Sequence, residues 1–345
     1  MSLTTSGIRH KNKMAQIHGT SGSTKYLLNG IETINGKRLV TLDELQHFYD
    51  HYEEILADTE ATVARQQNEI ILRFTNDESR LDKQLQEGIA RQTVEVDKNI
   101  DELNQKITSA GNFFAKTIYR LQYWVAVSLR NDRIHSPFTN LSIDLKNVRY
   151  QKTQRVNDKD TIIQRERNNV ISSYNFLKTN ETFLIGAQGE EAVISALSRL
   201  SNEYHVLNDI NLHFHRTIYW GKMNEPIKNC QIDHIVAGPT GIFLLETKNW
   251  KPSNLEINSD KLLWQAHRCG FALWSYNRDY YPWFEDMPTI CIVVVSLNSP
   301  NTGRKLDSDI DILPPQQLCD YILGRRAMLS GAAVKKFIDI ITRPR

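Results

Sequence analysis

Between Thr41 and Pro137 apolar residues recur at helical spacing, and no proline interrupts them. Leu45, Tyr49, Tyr52, Leu56, Val63, Ile70 and Phe74 form one stripe. After a slip it resumes at Leu81, Leu85, Ile89, Val96, Ile100, Leu103 and Ile107, with polar and charged residues between. The spacing predicts a long amphipathic helix with partial heptads. Thr41 with Glu44 three residues later predicts a capped start, and Ser136-Pro137 with Asn140 predicts the end. Unbroken from Leu45 to Ile107, such a helix would reach about 95 Å, so its stripe needs a partner. Leu141 to Leu177 carries a second helical pattern that can fold back on the first. A second copy of the chain, in a homo-oligomeric coiled coil, would serve equally well, and at this point both stay open.

Residues 1–40 are rich in Gly, Ser, Thr and Asn, and the pairs Asn29-Gly30 and Asn35-Gly36 predict a loose arm with a small hairpin ahead of a stalk over 41–180. After Asn180 the pattern changes. Phe183–Leu200 reads as a helix, and Tyr204–Phe214, Gln231–Ala237 and Gly241–Lys248 read as strands. A helix over Leu262–Asn277, a buried strand over Thr289–Ser296 and two closing helices, Gln316–Gly324 and Ala332–Ile341, follow. This order predicts a mixed α+β or α/β domain over 181–345, a sheet flanked by helices.

Composition narrows the classes. The chain has 345 residues, enough for two ordinary domains, and 42 Lys and Arg against 40 Asp and Glu leave a net charge of +2. Bulk charge therefore attracts neither nucleic acid nor anionic lipid, and any such contact must be local. Four cysteines without a C-x-x-C pair argue against a zinc ribbon or a disulfide framework and suit a reducing cytoplasm. Met1–Gly22 is polar and basic, unlike a secretion signal. Phe113–Leu129 is broken by Lys116, Arg120 and Gln122, and Thr289–Leu297 is short, so neither a transmembrane segment nor a membrane partner is expected. Gly30–Lys37 lacks the glycine spacing and the Ser or Thr of a phosphate loop. If a helicase works with this chain, it is a separate polypeptide.

The candidate chemistry lies in Gln231-Ile-Asp233-His-Ile-Val-Ala-Gly-Pro-Thr-Gly-Ile-Phe-Leu-Leu-Glu246-Thr-Lys248. With Pro239 and Thr240 at the tip of an antiparallel hairpin, Asp233 faces Glu246, and Lys248 lies two positions along on the same face, opposite Gln231. Opposed carboxylates between apolar neighbours repel unless a positive charge sits among them. A hard divalent cation, Mg²⁺ or Mn²⁺, would resolve that conflict and could meet a substrate phosphate. The expectation is phosphodiester hydrolysis, against the plainer alternative of a surface ion pair.

Gly186-Ala-Gln-Gly189-Glu190 opening a helix, the segment from Gln231, and Gly241 through Asn249-Trp250 together resemble the NERD (nuclease-related) domain of the PD-(D/E)XK nuclease superfamily, over about 181–325. The resemblance implies a restriction-endonuclease-like αβββαβ core and Mg²⁺-dependent cleavage of DNA, with RNA not excluded. Asp233 and Glu246 resemble the metal-binding acids, and Lys248 the catalytic lysine. Glu190, with Glu191 competing, resembles an acid from the first helix, and Gln265 a glutamine that completes the site. Thr247 joins the implied metal set. Gln231, Asn249, Trp250, Arg268, Tyr280 and Tyr281 are expected to touch nucleic acid. The sequence departs from the pattern at Cys269, where some relatives carry tyrosine, and at Lys251-Pro252-Ser253, which lacks a glycine. Trp264 and Trp274 are expected in the core, and Phe113, Phe114, Tyr119, Tyr123 and Trp124 in a packing cluster. A nuclease on a stalk would suit phage or plasmid defence or DNA repair. A binding or scaffold protein that keeps the fold without turnover remains the alternative.

Overall fold

The computed structural model describes residues 14–34, 36–250, 258–280, 290–298, 304–307 and 309–343. The chain divides into two compact units. One comprises Thr33–Lys37 and Tyr52–Ile171; the other holds the residues up to Glu32 together with Arg38–His51 and Ser172–Arg345. This differs from the expected divisions at 40 and 180. Residues 14–32 and the first helix of the expected stalk belong with the C-terminal sheet.

The N-terminal segment holds β1 (Gln16–His18) and α1 (Gly22–Asn29). Ser21 caps α1 by accepting the Thr24 N–H at 3.2 Å, and the Gly30 N–H closes its last turn on the Tyr26 and Leu27 carbonyls. Asn29-Gly30 is therefore a helix stop. The expected hairpin shrinks to a single bridge, Ile34 to Lys37. Helix α2 (Leu42–Asp50) starts as predicted, with Thr41 Oγ1 accepting the Glu44 N–H at 3.2 Å.

The long apolar stripe is not one helix. His51 ends α2, its backbone N–H and its ring Nδ1 both meeting the His47 carbonyl. Helix α3 then runs from Tyr52 to Ser109. Asn112 caps α4 (Phe113–Ser128) by accepting the Ala115 N–H at 2.9 Å, and α5 (Arg130–His135) and α6 (Thr139–Thr179) follow. Ion pairs record the fold-back within this unit: Glu60 with Arg167 at 2.7 Å, Glu78 with Arg149 at 2.9 Å and Asp97 with Arg130 at 2.6 Å. Each advance along α3 is matched by an equal retreat in the partner's number, the mark of antiparallel packing. The α3 stripe is thus covered in part from within the chain, with Val63 and Val96 buried and Leu81, Leu85 and Ile89 half-buried.

In the sheet unit α7 (Glu181–Leu197) precedes β2 (His205–Trp220), β3 (Glu225–Gly238) and β4 (Gly241–Lys248). Then come α8 (Ser259–Tyr280), β5 (Ile290–Ser296), β6 (Arg304–Asp307), β7 (Ile310–Leu313), α9 (Pro315–Leu323) and α10 (Gly331–Ile341). The strands form one sheet of order β1-β2-β3-β4-β5-β7-β6. It is mixed: β2-β3, β3-β4 and β6-β7 are antiparallel, and the other neighbours are parallel. Helical layers cover both faces. Ile242 and Leu244 pack with Leu273 and Phe337 of α8 and α10, while Phe243 and Leu245 pack with Leu197 and Leu318 of α7 and α9. A strand buried on both sides reads as a continuous apolar run, as β4 does. This is the predicted helical region followed by an α+β, restriction-endonuclease-like core.

Candidate active site

The β3-β4 hairpin sets the geometry. Gly241 takes a φ of +137°, a conformation that favours glycine, and lets the chain reverse opposite Gly238. From there the register runs Ala237 to Ile242, Val236 to Phe243, Ile235 to Leu244 and His234 to Leu245. Its next step places Asp233 opposite Glu246. The ladder stops one pair short of that step, and a side-chain bond takes over: Asp233 Oδ2 accepts the Thr247 N–H at 2.8 Å.

Glu246 is the hub. Its Oε1 accepts hydrogen bonds from Lys248 Nζ and, at 2.6 Å, from Gln265 Nε2 of α8. Its Oε2 is buried and has no hydrogen-bond partner among the described residues. Burial pushes the Glu246 carboxyl up to about 7, with Asp233 adding to the rise and Lys248 opposing it. Burial also raises Asp233, against the pull of Lys248 and of the Thr247 N–H. For Lys248, burial lowers the pKa, but Glu246 and Asp233 outweigh it and hold the ammonium above its ordinary value. The Lys248 ammonium also lies 5.6 Å over the Trp250 ring.

These groups line a cleft of about 440 Å³ together with Ser23, Glu190, Asn249 and Trp250. Gly189 lets α7 approach it: a Cβ there would sit 3.2 Å from Asn249 Cβ and 3.3 Å from Thr247 Cγ2. Asn249 ties the end of β4 to α7, donating to the Ile185 carbonyl at 3.0 Å.

Glu190 of α7 is anchored from α1. Both of its oxygens are taken by Ser23, which donates its hydroxyl to Oε1 at 2.5 Å and its N–H to Oε2 at 3.3 Å. Glu190 lines the same cleft as Asp233 and Glu246, although among the described residues no three Asp, Glu, His or Cys side chains come together as a metal cage. Ser23→Ala deletes the hydroxyl and is expected to cost about 1–2 kcal/mol, read from urea unfolding. An unchanged midpoint would mean that this bond does not hold α1 in place.

Gln231 pairs with Asn211 on β2, and its Nε2 donates to Asp209 Oδ1 at 2.8 Å, while the β3-β4 ladder ends before it reaches Gln231 and Lys248. The Arg268 guanidinium is engaged by Glu225 at 2.9 Å and the Asn229 carbonyl at 3.1 Å, which fastens α8 to β3. Tyr280 ends α8, its side chain lies outside the described residues, and so does Tyr281 altogether. Trp264 and Trp274 are exposed rather than in the core, each under an arginine, Arg268 at 5.7 Å and Arg278 at 5.1 Å.

Three residues near the site carried no readable signal of their role. Ser23 reaches it from 167 positions away in sequence. Asp209 adopts a left-handed φ of 52° in the middle of β2, opposite Asp233, and the ladder skips that pair. Aspartate tolerates this conformation better than most residues, and the Asn208-Asp209 dipeptide was the one available hint. His234 is fully buried, and burial lowers its pKa to about 4, so the ring is neutral; its Nδ1 bonds Asn208 Oδ1 at 2.8 Å.

The donor set suits a hard divalent ion. Two carboxylates, one with a buried oxygen lacking any hydrogen bond, match Mg²⁺ or Mn²⁺, which use one or two protein carboxylates and keep several waters. No curated protein and no solved structure gives a significant match to the chain. Residues 185–281, which hold most of α7, the β2-β3-β4 sheet core and α8, match the family model of the nuclease-related domain, NERD.

Proposed function

We propose that the chain is a Mg²⁺- or Mn²⁺-dependent nuclease that hydrolyses phosphodiester bonds of DNA. The observation that carries this reading is the trio of buried Glu246 with half-buried Asp233 and Lys248, joined by Gln265, at the wall of one cleft within the nuclease-related domain. Asp233, Glu246 and the Thr247 segment would hold the cation. Bound there, it would polarise a phosphoryl oxygen and lower the pKa of a water.

The remaining steps belong to side chains. Lys248, kept charged by its two carboxylates, stabilises negative charge as it builds on the phosphate. Gln265 fixes the orientation of Glu246, and the Thr247 N–H fixes that of Asp233. Trp250 and Asn249 border the cleft where an incoming strand would lie. Defence against invading DNA, or DNA repair, is the setting that a nuclease joined to a helical unit suits.

Purified full-length chain, incubated with linear, circular and single-stranded DNA and with RNA, is expected to cleave DNA with Mg²⁺ or Mn²⁺ and not with EDTA. Cleavage that persists in EDTA, or none on any substrate, would reject the reading. A pH dependence follows as well. Glu246 keeps its proton up to about 7, and a coordinating carboxylate must lose it. Calorimetric Mn²⁺ affinity should therefore rise by up to about tenfold between pH 6 and 7 and level off above pH 8. Equal affinity at pH 6 and 8 would remove Glu246 from the metal site.

A further inference from the structure

Helix α4 turns a broad apolar face to solvent. Phe113 is 80% exposed, Phe114 78%, Trp124 68%, Leu121 65% and Ile118 56%. At about 100° per residue these five fall within an arc of about 140°, one continuous face. Ala126, on the other side of the helix, is buried. Of the packing cluster expected here, Phe113, Phe114 and Trp124 stay exposed, Phe113 and Phe114 meeting edge to face at 6.3 Å, while Tyr119 and Tyr123 are half-buried. Exposed apolar faces of this kind mark interaction sites.

Charge selects the occupant. From Leu103 to Asn131 there is no Asp or Glu, whereas Lys106, Lys116, Arg120 and Arg130 are basic. Arg130 is paired with Asp97, and no salt bridge among the described residues engages Lys116 or Arg120. Two copies meeting through this face would bring their cations together without an acid to neutralise them. An anionic bilayer offers hydrocarbon to the Phe, Leu and Trp side chains and negative headgroups to the flanking Lys and Arg. Helix α4 has 16 residues, or about 24 Å, against a hydrocarbon layer of about 30 Å. No described helix is long and apolar enough to cross a membrane. An amphipathic helix of this length lies in the interface plane.

We propose that α4 docks the chain onto an anionic phospholipid surface, with Phe114, Leu121 and Trp124 inserted and Lys116 and Arg120 at the headgroups. This adsorption departs from the expectation of no membrane partner, is distinct from a spanning segment, and does not depend on the nuclease reading. The test is flotation of the full chain with vesicles of phosphatidylcholine alone and of phosphatidylcholine containing phosphatidylglycerol. Binding to the anionic vesicles is expected to be at least about tenfold tighter. It should fall by at least about tenfold in Phe114→Ser/Trp124→Ser and in Lys116→Glu/Arg120→Glu, with helical circular dichroism and melting unchanged. No flotation, equal flotation with both compositions, or flotation unaffected by either variant would overturn the proposal. So would a wild-type dimer in sedimentation velocity that Phe114→Ser/Trp124→Ser dissociates without any vesicle binding, since a second copy would then cover the face.

Discussion

Glu246→Gln is expected to cleave DNA at least about a thousandfold more slowly than the wild-type chain while melting within a few degrees of it. The side-chain shape is kept, and a carbonyl oxygen can still accept from Lys248 and Gln265. What disappears is one of the two negative charges offered to the cation. Stability changes little because two effects oppose each other: the buried site loses a costly charge, and Lys248 loses one of its two carboxylate partners but keeps Asp233. Rates on linear duplex DNA and a thermal melt of the same preparation measure both. A cleavage rate within tenfold of wild type would take Glu246 out of the chemistry.

Lys248→Met separates the metal from the lysine. Methionine keeps much of the length and the apolar stem but leaves Asp233 and Glu246 to repel each other without a cation between them. The metal-free variant is expected to lose about 1–3 kcal/mol, more at pH 8 than at pH 6, because Glu246 can relieve the repulsion by holding its proton at the lower pH. Added Mn²⁺ should then raise the melting temperature more than it does in the wild-type chain, since binding to the folded state alone stabilises it. Cleavage nevertheless falls about a hundredfold to ten-thousandfold, because nothing replaces the ammonium at the phosphate. If Mn²⁺ binding were lost in parallel with cleavage, Lys248 would be a structural support for the carboxylates.

The hairpin was legible because the Gly-Pro-Thr-Gly reversal between two apolar runs fixes its register, and a one-residue slip would turn Glu246 to the opposite face. The element order of the sheet unit was readable for the same reason, apart from the short strands β1, β6 and β7 of three or four residues. Long-range pairings were not readable. Ser23 holding Glu190 and Glu225 holding Arg268 join residues whose local sequence says nothing about the partner, so a free acid and a free cation were expected where the structure has satisfied ones. The stop of the long helix at His51 was hidden because neither proline nor glycine marks it, and the one at Ser109 was marked only by Gly111-Asn112 within an otherwise continuous periodicity.

The account stands on Asp233 and Glu246 sharing one cation. Electron paramagnetic resonance of a Mn²⁺ titration at pH 8, on the wild-type chain and on Asp233→Asn, tests that claim most directly. The account predicts one Mn²⁺ bound per wild-type chain and an affinity lowered by at least about tenfold in Asp233→Asn. Equal binding by the two chains, or none by the wild type, would contradict it.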